Sequence, residues 1–94
     1  MIPLTAPRVT RRTATSFDCN DVEGLAVWLR AHAFSDITTR YITEAYRLLR
    51  ADGALIIIYH SSAVACQGPQ APHAAQLLAE LIPETPAEQG RLAL

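Results

Sequence analysis

The side chains of this chain that could do chemistry are few and scattered. His60 stands next to Ser61 and Ser62, a pairing that looks like a base beside a nucleophile. Hydrolytic chemistry needs the two within hydrogen-bond reach and a third group orienting the base. Adjacent residues of a strand point to opposite faces, and no third group is evident. His32, His60 and His73 fall in three separate segments, with no cysteine or carboxylate spaced to complete a metal site. Cys19 and Cys66 are a lone pair without metal spacing. They read as buried, reduced thiols of a cytoplasmic protein, with a disulfide as the alternative. No catalytic residues, metal or other cofactor are therefore expected, and the chain reads as a non-enzyme.

The remaining chemistry is that of arginine and tyrosine. The formal net charge is −1, from eight basic and nine acidic residues, and every basic residue is arginine. Arg8, Arg11, Arg12, Arg40, Arg47 and Arg50 are candidate phosphate contacts, and Tyr41, Tyr46 and Tyr59 are candidate platforms for stacked bases. The nucleic-acid-binding set is narrowed to Arg11, Arg12, Arg40, Tyr41, Arg47 and Arg50. A protein that holds duplex nucleic acid by its phosphates usually carries a positive excess. The charge here weighs against that use.

The elements that must carry these residues form one small domain over residues 8–83, between a flexible N-terminus at 1–7 and a mobile tail at 84–94. Hydrophobic residues make up 50% of the chain, which suits a globule. There is no targeting leader, and the longest apolar run is far too short for a membrane span. Val9 to Phe17 alternates imperfectly and predicts an edge-like strand. Asp18 or Asn20 can cap a helix from Asp21 to about Ala33, in which Val22, Leu25, Ala26, Leu29 and Ala33 recur at helical spacing. Gly24 weakens that helix unless something packs closely on it. Residues 37–51 are ambiguous: Ile37, Tyr41, Ala45 and Leu48 favour a helix stopped by Asp52-Gly53. As a strand, the same segment makes Asp52-Gly53 a hairpin turn.

Leu55 to Tyr59 is a strand that is apolar at both parities. Leu55, Ile57 and Tyr59 point one way, Ile56 and Ile58 the other. It asks for cover on both faces, and so short a chain has few elements to supply it. The second cover is expected to be a partner or a second copy, with Leu55, Ile57 and Tyr59 as the candidate interface. A turn at Ser61-Ser62 leads into a second strand ending at Gln67-Gly68. Pro72 then opens a helix with Ala74, Ala75, Leu77, Leu78, Leu81 and Ile82 on its apolar face, and Pro83 ends it.

The run from Ala54 to Gly68, followed by an Ala- and Leu-rich helix, resembles one half of the TATA-box-binding protein. It is also similar to the N-terminal domain of type 3 ribonuclease H. In those families an aliphatic strand runs into a Ser-Gly turn, a short apolar strand and a terminal Gln-Gly or Thr-Gly. Thr13 to Asn20 resembles their first strand and its run into the first helix. The resemblance implies an α+β fold, a curved antiparallel sheet with two helices packed on one face, in the order β-α-β-β-β-α. It also implies that Tyr41 to Ala51 is a strand. Ser61-Ser62 stands where the families have Ser-Gly, and only one of the two half-repeats is present, so a homodimer is expected to rebuild the pair.

These readings predict a small non-catalytic module that binds nucleic acid or a nucleic-acid-handling complex through its open sheet face, without membrane contact. The alternative is a protein-binding inhibitor or adaptor, such as a mobile-element anti-defence factor, docking on a larger machine. A second alternative is a helix-turn-helix protein, with Leu25-Ala26 in its first helix and a recognition helix starting near Ser35.

Overall fold

The computed structural model describes residues 7–83. The aliphatic strand sits inside its sheet, as its two-sided apolar pattern requires. This strand, β5 (Leu55–Tyr59), pairs with β4 (Glu44–Arg50) on one side and β6 (Ala63–Gln67) on the other. The full sheet is antiparallel and six-stranded, in the order β1-β2-β6-β5-β4-β3, with β1 at Val9–Thr13, β2 at Ser16–Cys19 and β3 at Phe34–Ile37. The chain is thus an α+β domain, an open sheet with helices α1 (Val22–Ala31) and α2 (Ala71–Ala79).

Cross-strand partners share a face, so the register sorts the sheet. One face carries Phe17, Val64 and Ile58 in one row and Cys66, Ile56 and Leu48 in the next. These residues form a single buried core with Leu25, Ala26 and Leu29 of α1 and Ala74, Ala75 and Leu78 of α2. Both helices therefore cover this one face. Polar ties fix α1 to the sheet edge: the Arg30 guanidinium donates two bonds to Asp36 of β3, and the Tyr46 hydroxyl donates to Glu23.

The helices follow the expected spans, with local differences. The cap of α1 is Asp21, whose carboxylate accepts from the Gly24 amide at 3.0 Å; Asn20 instead accepts from the Arg8 amide. The Asp21 side chain lies where a Cβ of residue 24 would be, which accounts for a glycine inside the helix. Regular α2 ends at Ala79, before Pro83, and the Val9 amide donates to the Leu81 carbonyl just beyond it. Pro7, expected in a loose terminus, is buried; the expectations for residues 1–6 and 84–94 lie outside the described residues.

Four other differences concern strands. Val9 to Phe17 is two strands joined at Ala14-Thr15, so the order is β-β-α-β-β-β-β-α. Polar side chains close that turn: Thr13 Oγ1 and Ser16 Oγ are 2.7 Å apart, and Arg11 donates to the Ala14 carbonyl at 3.0 Å. Residues 44–50 are strand and pair with β5, as the resemblance implies for Tyr41 to Ala51 though over a shorter span, and the helical reading of 37–51 falls. Tyr41 lies before that strand, in the connection from β3. Phe34–Ile37 is also strand, so no recognition helix starts near Ser35 and the helix-turn-helix arrangement is not formed.

Both hairpins flanking β5 have three-residue loops of one kind. In each, an amide donates back over a tight turn, Gly53 to Arg50 and Ser62 to Tyr59, both at 2.9 Å. The third loop residue is left-handed in both, with φ 97° at Gly53 and φ 80° at Ser62.

Candidate functional site: the open sheet face

The face away from the helices carries the opposite parity of every strand. Its central row runs Ile37, Arg47, Ile57, Ala65, Ser16, and the neighbouring row runs Ser35, Leu49, Leu55, Gln67. Leu55, Ile57 and Tyr59 thus share the open face, as their spacing predicts, with Ile56 and Ile58 in the helix-side core. Ile57 is only 1% exposed, although it lies outside that core. Leu55 and Tyr59 are half-buried. The single chain therefore buries the centre of its second face, and the two-sided strand does not by itself demand a second copy.

A β-bulge gives this face a buried ion pair. Glu44 lies opposite Tyr59 and Tyr46 opposite Ile58, which leaves Ala45 as the extra residue. In a regular strand Glu44 and Arg47 would point to opposite faces. With the bulge both lie on the open face, beside Tyr59 and Ile57. Arg47 Nη2 donates to Glu44 Oε2 at 2.7 Å and Nε donates to Oε1 at 3.1 Å. The side chains are 8% and 1% exposed. These bonds hold the Glu44 carboxyl well below its usual range, at about 2, and hold Arg47 above its own. Glu44 Oε1 also accepts from the Arg40 amide at 2.8 Å. It thereby anchors the 38–43 loop, which presents Tyr41 and Ile42 at 65% and 93% exposure.

The other candidate arginines are tied down in different places. Arg12 reaches Asp18 at 3.2 Å, at the far side of the open face. Arg11 lies over the Phe17 ring on the helix side and bonds the turn carbonyls. Arg50 also belongs to the helix side, stacked over Phe34 and bidentate to Asp52. Asp52, which also accepts from the Ala54 amide, is held at about 2. Arg40 makes no ion pair among the described residues. Of the six candidates, the open face brings together Arg47, Arg40 and Tyr41; it does not bring Arg11 or Arg50 to them. Sequence reasoning missed Glu44, because nothing in the sequence marks the bulge.

The three histidines stay apart. His32 Nδ1 contacts the Trp28 carbonyl at 2.8 Å, His73 bonds Gln70, and His60 sits exposed in its turn. Ser61 Oγ accepts from the Ala63 amide. Among the described residues no three His, Cys, Asp or Glu side chains converge to hold a metal ion, and no helix is long and apolar enough to cross a membrane. Cys19 and Cys66 are free and buried, and burial raises both thiols, Cys66 to about 11.

Comparisons of the chain with protein-family models, with curated proteins and with solved structures find no match.

Proposed function

We propose that this chain is a non-catalytic docking module whose open sheet face binds another protein, as an inhibitor or adaptor of a larger assembly. The observation that carries this reading is the composition of the face. Leu49, Leu55, Ile57, Tyr59 and Ile37 adjoin the exposed Tyr41 and Ile42, while Arg47 and Arg12 are already paired with Glu44 and Asp18. Phosphate binding draws on cations free to displace counterions. Arg12, Arg30, Arg47 and Arg50 are all engaged by carboxylates. The same face, presented opposite two helices, is the one that the resemblance to the TATA-box-binding protein assigns to nucleic acid. Here its side chains favour protein.

The test is a titration of the full chain against single-stranded, duplex and hybrid nucleic-acid probes at low salt. No shift is expected. A shift that weakens steeply with salt would return the face to nucleic acid. Light scattering across the micromolar range tells a foreign partner from a second copy: a monomer leaves the face free for another protein, and a dimer gives it to self-association.

A further inference from the structure

Arg47 is a buried guanidinium with most of its hydrogen-bonding capacity unused by the protein. A guanidinium has five N–H donors. Glu44 takes one from Nε and one from Nη2. The Nη1 donors and the second Nη2 donor have no acceptor among the described residues. One Nη1 donor and the second Nη2 donor lie along the far edge of the fork, and this Nη1/Nη2 edge matches the two oxygens of a carboxylate. Glu44 is heavily engaged on its side, since its Oε1 accepts from both Arg47 and the Arg40 amide.

The surroundings extend the charge bias. Arg40, in the loop that Glu44 anchors, makes no ion pair among the described residues. Among the described residues no other carboxylate is paired on this corner. Asp18 lies across the sheet with Arg12, Asp36 is held by Arg30, and Asp52 is held by Arg50. Ile37 lies directly opposite Arg47 and Leu49 one row on, and the adjoining loop carries Tyr41 and Ile42; all four are exposed large apolar residues. A patch with aliphatic and aromatic contacts, unused N–H donors on Arg47 and the nearby charge of Arg40 is complementary to an acidic side chain flanked by apolar ones.

We infer that the occupant of the open face is an acidic–apolar segment of another protein, which places a carboxylate on the free edge of Arg47 and apolar side chains against Tyr41, Ile42 and Leu49. This rests on the protein-docking reading above and gives it a partner chemistry. Arg47 is the buried anchor, and Arg40 adds attraction at the rim.

The probe is a phage-displayed random dodecapeptide library, panned on the immobilised full chain. Enriched peptides are expected to carry Asp or Glu beside Leu, Ile or Phe. Replacing that acid by its amide in the synthetic peptide should weaken binding about tenfold or more, and this leaves the protein untouched. Arg47→Lys, which keeps a charge for Glu44 but loses the fork, should weaken it similarly. Ile42→Asp, at a solvent-exposed site, should abolish it without unfolding the chain. Enrichment of basic or purely apolar peptides, or an amide exchange without effect, would overturn the acidic partner. Sensitivity of those peptides to Ile42→Asp would still leave docking at this face standing. No enrichment over bare support, a dimer dissociated by Ile42→Asp, or a salt-sensitive nucleic-acid complex would overturn the docking of a foreign protein as well.

Discussion

Replacing Ser62 by glycine should make this protein more stable. Ser62 closes the β5–β6 hairpin with φ 80°, and Gly53 closes the β4–β5 hairpin with φ 97°. An L residue in the left-handed region costs roughly 1–2 kcal/mol through the approach of its Cβ to the backbone. Glycine removes that cost but loses about 0.4–1 kcal/mol through the greater freedom of the unfolded chain. The Ser62 side chain makes no hydrogen bond among the described residues. Its backbone bonds, amide to Tyr59 and carbonyl from Cys19, survive the change. The net gain is therefore about 0.5–1 kcal/mol, or a rise in Tm of about 2–8 °C for a domain of this size. Thermal unfolding followed by circular dichroism measures it, with urea titration to check that the slope is unchanged. The reciprocal control is Gly53→Ala. A Cβ there meets only Gln70 Cγ, at an ordinary 3.7 Å, so the substitution carries the same two terms with the signs reversed and should destabilise by about 0.5–1 kcal/mol. If Ser62→Gly is neutral or destabilising while Gly53→Ala is harmless, the left-handed reading of these loops is wrong.

Three further outcomes follow from other parts of the molecule. Glu44 and Asp52 titrate at about 2 in the folded chain, below their ordinary 4.5 and 3.8. Their lowered values contribute stability that is full above those ordinary values and fades as pH falls toward about 2. Denaturation midpoints should drop over that window, and less steeply in Glu44→Gln. Cys19 and Cys66 are buried with raised pKa values, so the native protein should react with a thiol reagent far more slowly than the denatured one, which should show two thiols. Ala33, with φ 73° just past the end of α1, should behave like Ser62: Ala33→Gly should raise Tm by a few degrees, on the order of half a kcal/mol or more.

The parts of this fold that show in the sequence are those where burial and local geometry agree. The two parities of Leu55–Tyr59 separate a helix-side pair, Ile56 and Ile58, from an open-side set, and the register keeps that division. Asp52-Gly53 marks its turn because a left-handed residue is needed there. Ser62 fills the same role without glycine, so its turn is announced only by its place between apolar runs. The helical spacing of Ile37, Tyr41, Ala45 and Leu48 is coincidental: Ile37 closes β3, Tyr41 lies in the loop, and Ala45 is the bulge residue. The hairpin at Ala14-Thr15 has no glycine or asparagine, and its closure rests on side-chain bonds that leave no pattern along the chain. The pairing of each arginine with its carboxylate depends on which residues the sheet brings together. That is why the arginines read as available cations and prove mostly engaged.

The bulge at Ala45 joins fold to site. It turns Glu44 onto the open face, where its carboxylate does three things: it neutralises Arg47, fixes the orientation of that guanidinium, and pins the 38–43 loop through the Arg40 amide. Deleting Ala45 would restore a regular strand from 44 to 50. Glu44 would then directly precede Tyr46, still opposite Tyr59 and on the open face, so the pair with Arg47 would be kept. Replacing Glu44 by alanine, in contrast, would leave Arg47 without its partner and the loop without its anchor. Removing one partner of a buried pair costs about 3–5 kcal/mol, enough to consume much of the stability of a small domain. One carboxylate thus holds together the buried pair, the loop that presents Tyr41 and Ile42, and the orientation of Arg47. If the open face is the docking surface, Glu44 is what orders this end of it.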